Sequence, residues 1–164
     1  MPDLRDSMSK VLVAYFSASG VTGRVAEMVA EAAGADIARI EPAVPYSEKD
    51  LDWKDSSSRN VAEKDDESCR PKMKRPIDAS GYDAVIIGYP VWWYIAPRIV
   101  QTFIEANGDL KGKKVAIFAT SGGTRSEGTA DILKDYYGLD LVGARTLNGA
   151  TKADAKSFVG SLGL

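Results

Sequence analysis

Lys10-Val11-Leu12-Val13-Ala14-Tyr15-Phe16 runs into Ser17-Ala18-Ser19-Gly20-Val21-Thr22-Gly23, and an amphipathic stretch starts at Val25. Val11 to Phe16 is apolar and rich in strand formers, and it is too short to stand as a helix, so it reads as a buried strand. Val25, Met28, Val29 and Ala32 then fall at i, i+3, i+4 and i+7, one face of a helix. The seven residues between are small or carry hydroxyls. A strand–loop–helix turn of this composition aims backbone N–H groups and the positive end of the helix dipole at one point. That is an anion site, most naturally a phosphate site. Ser17, Ser19 and Thr22 add hydroxyl donors, and no Lys or Arg lies inside the loop, so dipoles and hydroxyls would hold the anion. Neither named phosphate motif is met: Gly-Lys-Ser/Thr is absent, and the dinucleotide fingerprint lacks its first glycine, with Ser17 or Ala18 in that place. The plainer alternative is a serine-rich turn that caps a helix and binds nothing.

The 164 residues suit one domain, read here as a polar tail over 1–9 and a folded unit over 10–164. The 45% apolar and 27% charged content is that of an ordinary globular chain. No apolar run approaches membrane-spanning length. Met1 to Ser9 lacks the apolar core of a signal peptide, and Cys69 is the single cysteine, so a cytoplasmic, reducing location is expected. The absence of histidine removes Ser-His-Asp and Cys-His catalysis and most zinc and haem sites. A net charge of −2 without a basic stripe gives nucleic-acid binding no support.

Farther along, Ala35 to Glu41 reads as a second strand with Ile37 and Ile40 as its apolar members, closed by Pro42. Residues 42–82 form an irregular charged insert, with eight acidic and eight basic residues between Ser47 and Arg75. One irregular helix is expected within 48–66, with Trp53 as the apolar anchor. The insert is too long for a plain connection, so it is either functional or a solvated crossover. Asp83 to Tyr89 is a clear buried strand, and Pro97 opens a helix with Ile99, Val100, Phe103 and Ile104 on one face. Lys114 to Thr120 is the next strand, followed by a helix with Ile132, Leu133 and Tyr136. Leu139 to Leu147 is the last strand. Thr151, with Asp154 three residues on, caps a final helix that buries Ala155, Phe158, Val159 and Leu162. Alternating strands and helices predict an α/β three-layer sandwich around a five-stranded parallel sheet.

Ligands of such sheets bind beyond the carboxyl ends of the strands, where strand order reverses. Three strand-end loops have unusual composition: Ser17 to Gly23, Tyr89 to Tyr94, and Thr120 to Ser126. In the order 2-1-3-4-5 they meet at one rim. Tyr89-Pro90-Val91-Trp92-Trp93-Tyr94 puts four aromatics and a proline in six residues. This is a platform for a planar ligand, or else a core plug or dimer contact. Ser121, Gly122 and Gly123 offer close backbone approach and hydrogen bonds. A phosphate cradle, an aromatic wall and a donor-rich glycine loop suit a phosphorylated planar heterocycle, a description that flavin mononucleotide (FMN) meets.

Tyr15-Phe16-Ser17-Ala18-Ser19-Gly20-Val21-Thr22 resembles the phosphate loop of the flavodoxin family. Gly88-Tyr89-Pro90-Val91-Trp92-Trp93 and Thr120-Ser121-Gly122-Gly123 are similar to the two loops that hold the isoalloxazine in a bacterial flavodoxin-like branch. Asp50-Leu51-Asp52-Trp53, Ser58-Arg59 and Arg70-Pro71 are similar to that branch's charged insert. The resemblance runs from Lys10 to the end. It implies strand order 2-1-3-4-5 with FMN at the switch between strands one and three. By that resemblance Ser17, Ser19, Gly20 and Thr22 hold the phosphate, with backbone N–H groups from Ala18 and Val21. Pro90, Val91, Trp92, Trp93 and Tyr94 line the ring, and Ser121, Gly122 and Gly123 reach its pyrimidine edge or other side. Tyr94 departs from the branch, which more often has a small residue there; it either stacks on the flavin or narrows access to it.

Cys69 and Arg75 fit C-x5-R, but Arg-Pro-Lys-Met-Lys between them lacks the small residues of a phosphatase loop. Asp50, Asp52, Asp55 and Asp65-Asp66-Glu67 are interleaved with cations and read as a solvated face, so no metal site is expected. The expected function is an FMN electron carrier, active as a monomer or weak dimer with a redox protein or a small-molecule acceptor as partner. The alternative is an NAD(P)H-dependent FMN oxidoreductase that reduces quinones or nitroaromatics. A third reading is a flavin-free interaction module built on Trp92-Trp93-Tyr94.

Overall fold

The computed structural model describes residues 10–120 and 127–164. Ser121, Gly122 and Gly123 therefore lie outside the described residues. The elements are β1 (Val11–Tyr15), α1 (Val21–Ala33), β2 (Asp36–Arg39), α2 (Arg59–Asp65), β3 (Ala84–Pro90), α3 (Arg98–Ala106), β4 (Lys114–Thr120), α4 (Glu127–Tyr137), β5 (Asp140–Thr146) and α5 (Lys152–Gly160). The strands form one parallel sheet in the order β2-β1-β3-β4-β5. The order reverses between β1 and β3, so a crevice opens there beyond the strand ends.

The period-two alternation of the strands divides the core in two. Leu12, Ala14, Val85, Ile87 and Tyr89 face one side and bury Ile99, Val100, Phe103 and Ile104 of α3 with Leu133 and Tyr137 of α4. Val11, Val13, Ala84, Ile86 and Phe118 face the other and bury Val25, Ala26 and Val29 of α1 with Ala155 and Phe158 of α5. Gly88 belongs to this second face. A Cβ there would lie 2.1 Å from Cζ of Phe118, so the strand carries a glycine because the neighbouring ring fills its side-chain space. The box at the start of α5 forms as read: the Asp154 N–H donates to Thr151 Oγ1 and the Thr151 N–H to the Asp154 carboxylate.

Four expectations need correction. Helix α1 starts at Val21, ahead of Val25, its first buried apolar residue, because Val21 faces solvent and Thr22, Gly23 and Arg24 carry no hydrophobic period. Ile37 is exposed while Ile40 is fully buried, since β2 is a four-residue edge strand. On α4 the inward pair is Leu133 and Tyr137, and Ile132 and Tyr136 face out. Trp53 does not anchor the insert; it is 61% exposed.

The insert is nonetheless docked. Its ends pair antiparallel, with N–H donation from Ala43 to Lys72 O (2.8 Å) and from Lys74 to Glu41 O (2.7 Å). Ser58, Asn60, Val61 and Glu63 are buried. Arg98 of α3 donates to the carbonyls of Glu63 (3.1 Å) and Lys64 (2.6 Å) at the end of α2, where helix carbonyls run short of intrahelical partners. Thr102 donates to Pro71 O and Arg70 pairs with Glu105 at 2.8 Å. Among the described residues no helix is long and apolar enough to cross a membrane.

Candidate functional site

The loop after β1 turns on Gly20, whose φ of +92° sits at the N-cap of α1 and is left-handed. Ser17 is buried, and its Oγ accepts the N–H groups of Gly20 (3.1 Å) and Gly23 (3.2 Å). The hydroxyl thus holds the loop in shape. Thr22 is also buried and shares a 2.8 Å hydrogen bond with Thr120 Oγ1, which ties this loop to the end of β4. Ser19, Gly20 and Val21 face solvent. Gly20, Gly23 and Arg24 have acceptors for their N–H groups. Among the described residues, those of Ala18, Ser19, Val21 and Thr22 have none. Unpaired N–H groups at the positive end of a helix are what a phosphate takes up.

Beyond β3 the chain makes a tight hairpin. Trp92 and Ile95 exchange backbone hydrogen bonds of 2.9 and 3.1 Å, and Trp93 (φ 53°) and Tyr94 (φ 66°) between them are both left-handed. Asn-Gly normally fills such a turn. Two bulky residues there carry strain of about 1–2 kcal/mol each, a cost that clusters at functional sites. The three aromatics separate. Trp92 packs edge-on against Phe16 (5.4 Å) and Tyr46 (5.2 Å) and so is rooted in the core. Trp93 meets Trp53 of the insert at 6.2 Å, with Lys64 Nζ 4.7 Å from its ring centroid. Trp93 Nε1 is buried without a hydrogen-bond partner among the described residues. Such an N–H costs about 1–3 kcal/mol until an acceptor reaches it. Tyr94 is 69% exposed at the tip. Pro90 and Val91 are half-buried, and Val91 N–H donates to Thr120 O (2.9 Å). The hairpin is thereby bound to the end of β4.

The insert contributes residues that sequence reasoning missed. Tyr46 donates to the Glu63 carboxylate, which also accepts from Arg59 Nε at 2.8 Å. The Arg59 guanidinium lies 3.7 Å from the centroid of the Tyr46 ring. Burial first, then the bond to Glu63, pushes the Tyr46 phenol above its ordinary value, so it stays a donor. Burial also raises the Tyr89 phenol, whose OH bonds Thr129 Oγ1 at 2.7 Å and joins β3 to α4. Burial raises the Cys69 thiol, and the nearby Glu63 and Asp66 carboxylates add to this, so the residue is a poor nucleophile.

Arg39 was also missed. No cation lies within the loop in sequence, yet Arg39 Nη2 donates to Ser17 O at 3.3 Å. No local sequence signal marks it: Tyr15 pairs with Arg39 across β1 and β2, and that register sets the end of β2 beside the loop. A cavity of about 260 Å³ opens there, lined by Ser17, Ala18, Pro42 and Tyr46 together with Arg39, Glu41 and Lys74. A second, of about 250 Å³, lies between α3 and α4 under Ile95.

An open parallel sheet with a 2-1-3-4-5 order, an anion loop after β1 and an aromatic hairpin after β3 defines the class of flavodoxin-like α/β proteins. The flavodoxin family profile matches residues 10–162, and the chain belongs to that family. It is 44% identical to a provisionally assigned flavoprotein from Bacteroides eggerthii, whose crystal structure superposes with a TM-score of 0.90 over 95% of this chain and 99% of that one. It is 29% identical to a flavodoxin of Maridesulfovibrio salexigens over 90% of this chain and 87% of the relative. It is 30% identical to an NAD(P)H dehydrogenase (quinone) of Acidovorax ebreus over 83% of this chain and 70% of that protein.

Proposed function

We propose that the protein binds FMN at the rim of β1, β3 and β4 and acts as an electron carrier. The observation that carries this is the donor set: unpaired N–H groups of Ala18, Ser19, Val21 and Thr22 beside an aromatic hairpin with an orphaned indole N–H. Those groups fit a phosphate and a flat, carbonyl-bearing ring. Bound FMN supplies the redox chemistry. The chain's own residues hold and shield it. Ser17 keeps the loop closed on the phosphate, Trp92 fixes the hairpin to the core, and Trp93 and Tyr94 cover the ring. The proposed site comprises Ser17 to Thr22, Pro90 to Tyr94 and, outside the described residues, Ser121, Gly122 and Gly123.

The carrier reading draws on the rim surface. Val21 (51% exposed), Trp53 and Tyr94 are large apolar side chains that surround the loops, as a docking face for a redox partner would. The NAD(P)H oxidoreductase reading is favoured by one observation, the cavity next to the phosphate loop, which carries Arg39 and Lys74 against Glu41. The test is an absorbance spectrum of the purified protein, followed by anaerobic NADPH and NADH. Bound flavin that stays oxidised supports the carrier. Flavin that bleaches promptly and recovers with a quinone supports the oxidoreductase. No flavin bands and no uptake of added FMN overturn both.

A further inference from the structure

The charged insert over residues 42–82 touches the hairpin after β3 at both of its tryptophans. Trp92 closes a triangle of edge-on rings with Phe16 and Tyr46, whose own centroids are 5.7 Å apart. Phe16 is held by the core of the sheet, and Tyr46 is held by the insert. The Arg59 guanidinium covers the Tyr46 ring, and the Tyr46 hydroxyl donates to the Glu63 carboxylate. Arg59 Nε closes that circuit on Glu63, and Arg59 Nη1 donates to Val44 O at 2.7 Å. Trp93 meets Trp53 and lies beside Lys64, whose Nζ is paired with Asp65 at 2.8 Å.

A turn with two bulky left-handed residues persists only where its surroundings over-determine it. The backbone bonds of the hairpin, Trp92 with Ile95 and Val91 N–H to Thr120 O, fix its stem and leave the two indoles to be placed by their neighbours. The insert can supply that constraint because it is anchored elsewhere. Its ends pair with each other, Thr102 donates to Pro71 O, Arg70 meets Glu105, and Arg98 donates to the last carbonyls of α2. We propose that the insert is a brace for the flavin hairpin, in which Tyr46 and Trp53 are positioning residues that act on the isoalloxazine through Trp92 and Trp93. The proposal rests on the FMN reading above and gives the insert its part in it. The brace acts on the ring half of the ligand, because the phosphate loop is shaped by bonds of its own, to Ser17 Oγ and between Thr22 and Thr120.

The experiment compares three probes on the flavin-free protein: FMN, riboflavin (the same ring without the phosphate) and inorganic phosphate. Flavin affinities come from fluorescence titration, and phosphate binding from the amide shifts of residues 18–22. Trp53→Ala, at a mostly exposed position, is expected to weaken FMN and riboflavin by the same factor, roughly fivefold, and to leave the phosphate shifts in place. Trp53→Phe is expected to recover most of that loss, because a ring again meets Trp93. Tyr46→Phe keeps the ring against Trp92 and removes its bond to Glu63, so both flavins are expected to weaken roughly threefold. The Trp93 Nε1–H, buried in the unmodified protein, is expected to exchange with water faster in Trp53→Ala. Flavin affinity indifferent to either substitution, no recovery in Trp53→Phe, unchanged exchange at Trp93, or phosphate shifts lost together with riboflavin binding overturns the brace. An unmodified protein that takes up neither flavin overturns the FMN reading and the brace together, whereas flavin uptake that ignores the insert variants overturns the brace alone.

Discussion

Gly88→Ala tests how the hairpin is supported from below. The added methyl would meet Phe118 Cζ at 2.1 Å and both Cε atoms at 2.6 and 2.7 Å, so the ring must move by more than an ångström. It has nowhere to go. Phe118 is fully buried and packs edge-on against Phe158 at 6.3 Å. A buried methyl contributes about 0.8 kcal/mol, and replacing glycine in a strand returns about 0.5–1 kcal/mol of chain entropy. Overpacking of a closed core costs about 1–3 kcal/mol and more where the backbone must shift. Contacts this short put Gly88→Ala at the upper end, so a net loss of about 1–2 kcal/mol is expected, or roughly 2–8 °C in Tm for a chain of this size. Phe118→Leu removes the tip of the ring, and the double variant is expected to be more stable than the sum of the singles by about 1 kcal/mol. Urea unfolding of the four proteins of the cycle, without flavin, is the assay. Wild-type stability in Gly88→Ala, or simple additivity in the double variant, would refute the account of why this strand carries a glycine.

Ser17→Ala removes the acceptor of two loop N–H groups, so a loss of about 1–2 kcal/mol in urea unfolding is expected, with weaker FMN binding by fluorescence titration. Tyr94→Asn relieves a left-handed bulky residue that buries little, so the flavin-free protein is expected to gain about 0.5–1 kcal/mol in the same measurement, whereas FMN affinity falls if the ring covers the flavin. Burial pulls the Glu105 carboxyl up, but hydrogen bonds from Tyr137 and Arg70 outweigh it and hold the group below its ordinary 4.5. A depressed carboxyl contributes stability that is complete above pH 4.5 and is lost as pH falls through the folded value. Tyr137→Phe should therefore cost about 0.5–1.5 kcal/mol at pH 7 and flatten the acid limb of stability against pH. An unchanged acid limb counts against the assignment.

Much of the fold is legible because local periodicity encodes it. The run Val11 to Phe16, the spacing Ile99, Val100, Phe103 and Ile104, and Thr151 with Asp154 each report their element without reference to the rest of the chain. Where the period is weak, phase is lost. Ile132, Leu133, Tyr136 and Tyr137 are four apolar residues on more than one face, and only packing against β3 and α3 turns Leu133 and Tyr137 inward. The charged insert has no period at all, and its order comes from partners far away in sequence, such as Arg98 on the end of α2.

The sequence alone determined the order of strands and helices, the two-faced burial of the central strands, and the clustering of small, hydroxyl and aromatic residues at strand ends, since each is set by residues a few positions apart. Tertiary structure alone decided which aromatic does what. Trp92 and Trp93 are neighbours in sequence, yet one is rooted against Phe16 and Tyr46 and the other lies against Trp53 and Lys64, because a left-handed turn points them apart. It also brought Arg39 to Ser17, a cation 22 residues from the loop it flanks. That encounter depends on the parallel pairing of β1 with β2, a long-range contact that no window of sequence contains.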